Sequence, residues 1–459
     1  MKQKGILLAL VLSVFSFTAF AQQSLRSAYF LEGYTYKYKF NPAFKGVRNH
    51  VAIPAIGSLS AEVQSNLGLS TLFYPTDDGK LVLFTDSGAI SMEDFDKKIL
   101  DLNSLNAGIN SSLISVGFWT KKSFHTVDLS VRVDAVADVP GDLFRFLKEL
   151  QGTGGVQNSF DIQKLAVKAN AYAELSYGYA RDITSWIHVG GRLKFLYGLA
   201  QGQANFSKFS VDANTAENKY KIDAQGYLEL SQVSELSLNA DKELEFGQFN
   251  AKALANPDIG FAADLGVSVD FAKYFTASLS VLDIGFMNWK NIQSTQTLGI
   301  PWEYTPETSG EEAEEGLKNL VKFEDITTKS KTSTLATTLN VGLDARMPFY
   351  EPLSFSILST TRINGPQTWT EGRFYANIAP TRWLGFSVNY GISNFGSTLG
   401  SALSIHAQGF NLFLGSDSIL TFTEFLPGGL PAKKLNTNVA VGLNILFGKY
   451  HGREFAKKK

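Results

Sequence analysis

From residue 49 onward the chain is dominated by long segments in which apolar and polar residues alternate strictly. This limits the possible folds more than any other feature, because period-two alternation marks a strand with two unlike faces. Over 335–346, Leu335, Leu339, Val341 and Leu343 lie on one face, and Thr338, Asn340, Gly342, Asp344 and Arg346 on the other. Segment 259–270 sets Ile259, Phe261, Leu265, Val267 and Val269 against Gly260, Asp264, Gly266, Ser268 and Asp270. Val127, Leu129, Val131 and Val133 oppose Asp128, Ser130, Arg132 and Asp134, and Ile187, Val189, Leu193 and Phe195 oppose His188, Gly190, Arg192 and Lys194. Segments 384–392 and 439–447 repeat the design.

A β-sandwich would alternate too, but its strands run about 5–6 residues. A strand tilted across a bilayer needs about 9–11, which is the length found here. The apolar faces are nearly free of charge, while the other faces carry Gly, Ser and ionised groups. Backbone in hydrocarbon must pair all its polar groups, so such strands close into a barrel. Connections also alternate in length, as short turns at one end and long loops at the other. The short ones are 120–123, 181–185, 272–274, 348–352 and 381–382; the long ones are 138–165, 200–258, 286–333, 363–371 and 416–436. The expectation is an all-β, transmembrane antiparallel barrel of about 14 strands (range 12–16), with short turns periplasmic, long loops extracellular, and an N-terminal plug in the lumen. Segments 61–74 and 81–90 would supply any strands beyond 14.

The remaining composition fits an exported membrane protein. Lys2 and Lys4, the apolar run Ile6–Phe17 and Ala19-Phe20-Ala21 read as a signal peptide over 1–21, which implies a mature start near Gln22 and an outer-membrane address. Residues 22–48 form a plug segment, 49–447 the barrel and 448–459 a basic tail. There is no cysteine, so disulfides and thiolate metal sites are excluded. A net charge of −1 gives no basis for nucleic-acid binding. Helical spacing occurs over Gly141–Leu150 and Glu93–Leu102, and Glu311–Glu315 is an acidic run that reads as a solvated loop.

Catalytic and cofactor signatures are missing: there is no phosphate loop, no His-Glu-x-x-His and no Gly-x-Ser-x-Gly. The five histidines, His50, His125, His188, His406 and His451, lack metal spacing. The chain therefore reads as no enzyme and as needing no cofactor. The candidate site is the lumen face: Asp128, Arg132, Asp134, Glu174, His188, Arg192, Lys194, Asp264, Asp270, Asn340, Asp344 and Arg346. A hairpin centred on Ile183 would place Glu174 opposite Arg192 as a cross-strand ion pair. These groups either neutralise one another or line a path for a polar solute.

Before the first strand, Tyr29, Phe30, Tyr34, Tyr36, Tyr38 and Phe40 accompany Lys37, Lys39 and Arg48. Such aromatic density calls for burial, with the cations meeting lumen carboxylates such as Asp134, Asp264 or Asp344. Gln23-Ser24-Leu25-Arg26-Ser27-Ala28-Tyr29-Phe30 up to Asn41-Pro42-Ala43-Phe44 resembles the start of a family of uncharacterised Bacteroidota outer-membrane proteins with a domain of unknown function. Ile53-Pro54-Ala55-Ile56-Gly57, Ser280–Trp289 and Asn438–Asn444 match that family in style. Through Asn41-Pro42-Ala43 the chain also resembles, distantly, the long-chain fatty-acid transporter (FadL-like) barrels. That second resemblance implies 14 strands, an N-terminal plug containing Asn41, Pro42 and Ala43, and binding or passage of a hydrophobic small molecule. The alternative is a non-transporting barrel whose external loops dock a protein of an export or assembly machine. Bilayer lipid is the remaining partner.

Overall fold

The computed structural model describes residues 25–452, except 87, 151–157, 215–218, 232–233, 250–256, 306–314, 317, 321, 366, 421–423 and 433. The expected export signal over 1–21, Glu311–Glu314 of the acidic run and the tail from 453 lie outside the described residues.

Among the described residues one antiparallel sheet of nineteen strands closes on itself, and leaving aside the short pieces Phe160–Asp161 and Trp302–Tyr304, seventeen strands form its wall. They are β1 (Asn49–Ala52), β2 (Ser58–Gly68), β3 (Leu102–Thr120), β4 (Ser123–Pro140), β5 (Ala166–Asp182) and β6 (Ile187–Asn214). Next come β7 (Lys219–Ser231), β8 (Asp258–Phe271), β9 (Phe275–Gln296), β10 (Thr327–Thr334), β11 (Thr337–Met347) and β12 (Tyr350–Ile363). The wall ends with β13 (Trp369–Thr381), β14 (Leu384–Ser393), β15 (Gly396–Ile405), β16 (Asn411–Ser416) and β17 (Lys434–Phe447). They fill fourteen positions, because β1 and β2 share one, as do β7 and β8, and β10 and β11. Closure comes from β17 pairing with both β1 (Asn49 opposite Phe447) and β2 (Leu59 opposite Val441). No edge strand is left in the hydrocarbon, which is the condition for a sheet to span it.

Alternation becomes a two-faced wall. Val341 is 49% exposed on the outside, while its neighbour Asn340 is 4% exposed on the inside. Leu193, Phe261, Leu343, Ile357 and Val441 likewise face outward, and Trp186, Phe271, Phe275, Phe349 and Trp383 ring the short-turn end. That ring matches the aromatic girdle of membrane barrels.

The wall differs from the sequence expectation at the long-loop end. Residues 200–214 and 286–296, expected as loop, continue as strand: β6 runs 28 residues and β9 runs 22. At about 3.3 Å per residue β6 extends some 90 Å, far past the bilayer. Beyond lipid the outer face no longer has to be apolar, so Gln201-Gly202-Gln203-Ala204-Asn205 carries no hydrophobic alternation to betray the strand. Residues 61–68 belong to β2, whereas 73–75 and 81–83 form a small separate hairpin, so no fifteenth position arises. The longest described helices are α1 (Met92–Asp96), shorter than expected, and α2 (Gly141–Leu150). Both pack at the long-loop end on Leu67, Leu72, Phe84 and Val139.

Candidate functional site

The lumen holds residues 25–48. Tyr29, Tyr34, Tyr36, Tyr38, Phe40 and Leu25 are all buried and form one core with wall residues Phe124, Leu358, Tyr375 and Phe413. The rings contact one another while their hydroxyls reach the wall. Tyr36 donates to Asn444 Oδ1 (2.7 Å), Tyr38 to Asp128 Oδ1 (2.8 Å), and Tyr29 pairs with Ser278 Oγ (3.1 Å). An aromatic body with a polar tip suits a lumen with polar walls.

The segment is held differently at its two ends. Towards the short turns, Asn41 Nδ2 donates to the Val267 and Leu279 carbonyls (3.1 and 3.2 Å), and Asn41 Oδ1 accepts from the Ala43 amide (2.9 Å). Pro42 needs an extended residue before it, and the side-chain bonds of Asn41 tie that conformation to the wall. Gly190 and Gly266 make room: a Cβ there would sit 2.0 Å from Pro42 O and from Asn41 Oδ1 respectively. Nearer the long-loop end, Arg26 lies 3.2 Å from Glu62, 3.2 Å from Glu371 and 3.3 Å from Asp417. Asp417 also accepts the backbone amides of Arg26 (3.1 Å) and Ser27 (2.7 Å). Arg373 pairs with Glu371 at 2.8 Å, and the Arg26 guanidinium lies 5.2 Å from the centre of the Trp369 ring.

Between these ends the wall carries a compact ion network. Arg132 meets Glu174 (2.9 Å) and Asp283 (3.0 Å), and Lys194 meets Asp264 (2.7 Å) and Asp283 (2.5 Å). Arg192 reaches Asp264 (3.3 Å), Asp128 (3.4 Å) and Glu174 (3.6 Å), and Lys39 stands 4.0 Å from Asp128. Four cations face four anions, so the buried set is neutral, as burial of charge demands.

The other residues singled out from sequence are placed as follows. Asp134 pairs with Arg362 (3.5 Å). Asn340 donates to the Phe40 carbonyl (3.1 Å), and Asp344 accepts from Ser356 (2.6 Å). At the short-turn rim His188 lies between Asp182 and Asp270, and the Arg346 amide donates to Tyr274 O. Arg48 caps the Gly448 carbonyl (2.6 Å), and Lys39 meets the lumen carboxylate of Asp128 rather than Asp134, Asp264 or Asp344.

The Glu174–Arg192 register also needs correction: Glu174 is opposite Leu196, and Arg192 opposite Gly178. The turn spans Ile183–Trp186, where Thr184 Oγ1 accepts from the amides of Trp186 and Ile187, and this moves the hairpin centre towards Ser185. Arg192 still reaches Glu174 through its long side chain. Sequence reasoning missed Arg26, Glu62, Asp283, Glu371, Arg373 and Asp417. Asp283 sits on a bulge of β9 with φ +59°, which turns it inward against the alternation.

Above the Arg26 cluster is a vestibule of about 60 Å³ lined by Glu62, Gln64, Asn106, Met287, Trp289 and Trp369, among others. Val136, Lys168 and Gln367 line both it and a wider cavity at the long-loop mouth. Thr334 lines the vestibule and also an outward groove formed by Leu193, Phe195, Phe261 and Phe286.

Fold and lumen together define a transmembrane β-barrel with its own N-terminal segment inside. Residues 42–417 match a family of unknown function, DUF5723, and the chain belongs to that family. Comparison with curated proteins gives no match. Among solved structures the chain is similar to the toluene transporter TbuX of Ralstonia pickettii (9% identity, 90% of this chain and 94% of that one, TM-score 0.44). It is similar also to the Pseudomonas putida toluene transporter TodX (8%, 95% and 97%, 0.40) and to a Pseudomonas aeruginosa FadL homologue (7%, 94% and 100%, 0.43). Likeness at these levels carries nothing about substrate.

Proposed function

We propose that this barrel sits in the outer membrane, short turns in the periplasm, and binds or passes a hydrophobic small molecule, with residues 22–48 as its plug. Export by a signal peptide over 1–21 is part of the same reading. The observation that carries it is that the vestibule shares residues with the plug's attachment: Glu62 and Trp369 line the cavity and both contact Arg26. A molecule entering from the long-loop end thus touches the group that holds the plug. The apolar groove that shares Thr334 with the vestibule offers such a molecule a membrane-side surface. An open general pore is disfavoured, because the aromatic core of the segment occupies the lumen.

A second reading, docking of a protein from an export or assembly machine, draws support from the ordered long-loop end. There β6, β7 and β9 run on, and Phe146, Phe160, Val211 and Ile222 build a separate core.

Deleting residues 24–40 tests the plug. The variant is expected to fold, as judged by heat-modifiable gel mobility, and to conduct in planar bilayers where the intact protein is closed. A folded variant that conducts no more than the intact protein would sink the plug reading.

A further inference from the structure

The carboxylates of the vestibule are already matched: Glu62 with Arg26, Asp283 with Arg132 and Lys194, and Asp134 with Arg362. Its amides are not. Gln64 Nε2 and Asn106 Oδ1 are buried and find no hydrogen-bond partner in the protein, and behind the lining neither do Nδ2 and Oδ1 of the adjoining Asn436. The three residues are neighbours across the sheet: Gln64 on β2 is opposite Asn106 on β3 and opposite Asn436 on β17. Gln64 is 2% and Asn106 6% exposed, and both line the vestibule. An unpartnered buried amide is costly, and a strip that offers both donors and acceptors is rarely kept without an occupant. On the same cavity Met287, Trp289 and Leu335 supply an apolar surface.

We propose that the Gln64–Asn106–Asn436 strip is the head-binding subsite for an amphiphile whose polar head is uncharged and rich in hydroxyl or amide groups. This rests on the reading of the vestibule as a ligand site and adds the class of ligand. A neutral head completes the amide hydrogen bonds without adding charge to a region where the carboxylates and guanidiniums neutralise one another. A carboxylate head would compete for those cations and leave the donor Gln64 Nε2 beside an acceptor, Asn106 Oδ1, that it cannot serve. The competing class has one foothold. Lys168, half-buried at the outer end of the vestibule, forms no ion pair among the described residues.

The test compares two probes with the same decanoyl chain, 1-decanoylglycerol and decanoate, in equilibrium binding to the purified full-length barrel in detergent. The monoglyceride is expected to bind saturably at one site per barrel and more tightly than decanoate. Replacing Gln64→Met with Asn106→Leu should weaken it about tenfold or more and raise Tm, because the unpartnered amides are gone. Gln64→Met alone gives the same reading if the double variant does not fold. Lys168→Met should change monoglyceride binding little. Tighter decanoate binding that is lost in Lys168→Met overturns the neutral-head assignment and leaves the transport reading standing. Monoglyceride binding unchanged in a folded amide variant overturns the subsite. Absence of saturable binding by either probe overturns the subsite, whereas failure of the plug reading shows separately as a deletion variant that stays closed.

Discussion

The luminal N-terminal segment is fixed at one end by charge and at the other by shape. Arg26 is held by three carboxylates beneath the vestibule. Asn41-Pro42-Ala43 is held by backbone carbonyls and two glycine-sized recesses near the short turns. The charged end relies on a few buried ion pairs that a ligand or a substitution can unbalance as a unit. The neutral end relies on fit, which gives way only if the wall itself moves. If the segment acts as the proposed plug, this contrast would have it release from the Arg26 end while Asn41 stays anchored.

The largest effect is therefore expected from Arg26→Met. It leaves Glu62 without its ion-pair partner and Glu371 and Asp417 facing Arg373 alone, all of them buried. Breaking a buried pair from one side costs about 3–5 kcal/mol. Thermal unfolding followed by heat-modifiable mobility should show the loss, and bilayer recordings should show frequent openings. A variant as stable and as closed as the parent would mean that the charged end is not what holds the segment.

Gly266→Ala should have a smaller effect at the other end. The new Cβ would lie 2.0 Å from Asn41 Oδ1 and 2.8 Å from Pro42 Cδ, so the turn must shift and weaken its bonds to Val267 O and Leu279 O. Overpacking of this kind costs about 1–3 kcal/mol. The expected record is lower thermal stability with few openings, because the charged end still holds. Openings more frequent than in Arg26→Met would reverse the order of the two ends.

The neutral end was legible in the sequence and the charged end was not, for a physical reason. Asn41-Pro42-Ala43 is a contiguous motif, with local bonds such as Ala43 N to Asn41 Oδ1. The wall was legible as well, because lipid outside and water or plug inside impose alternation on every spanning strand. Arg26 closes on Asp417 across 391 residues of sequence, and nothing local to either residue announces the pairing. Glu62 and Glu371 sit at ordinary inward positions of their strands, so only the closed wall brings them together. The Glu174–Arg192 contact was read from a turn centre that Thr184 displaces, so the residues were right and the register was not. The continuation of β6 to Asn214 went unread because its outer face leaves the lipid.

The smallest effect is expected at the rim, where the segment leaves the lumen to become β1. Lys45 pairs there with Asp182, which also contacts His188, and the Lys45 ammonium lies 5.4 Å from the centre of the Trp119 ring. The side chains of Lys45 and Asp182 are 17% and 30% exposed, so water screens the pair and solvates either partner once the other is gone. Pairs of this kind contribute about 0–1 kcal/mol. In Lys45→Met the carboxylate of Asp182 keeps its histidine, and the methionine keeps the contact with Trp119. Stability should fall by less than about 1 kcal/mol, with bilayer recordings as closed as the parent's. The loss should also shrink as salt is raised, unlike that of Arg26→Met, whose buried carboxylates lie beyond the reach of mobile ions. If Lys45→Met instead opened the barrel as Arg26→Met is expected to, the segment would be held at its exit, and the vestibule would have no direct hold on the plug.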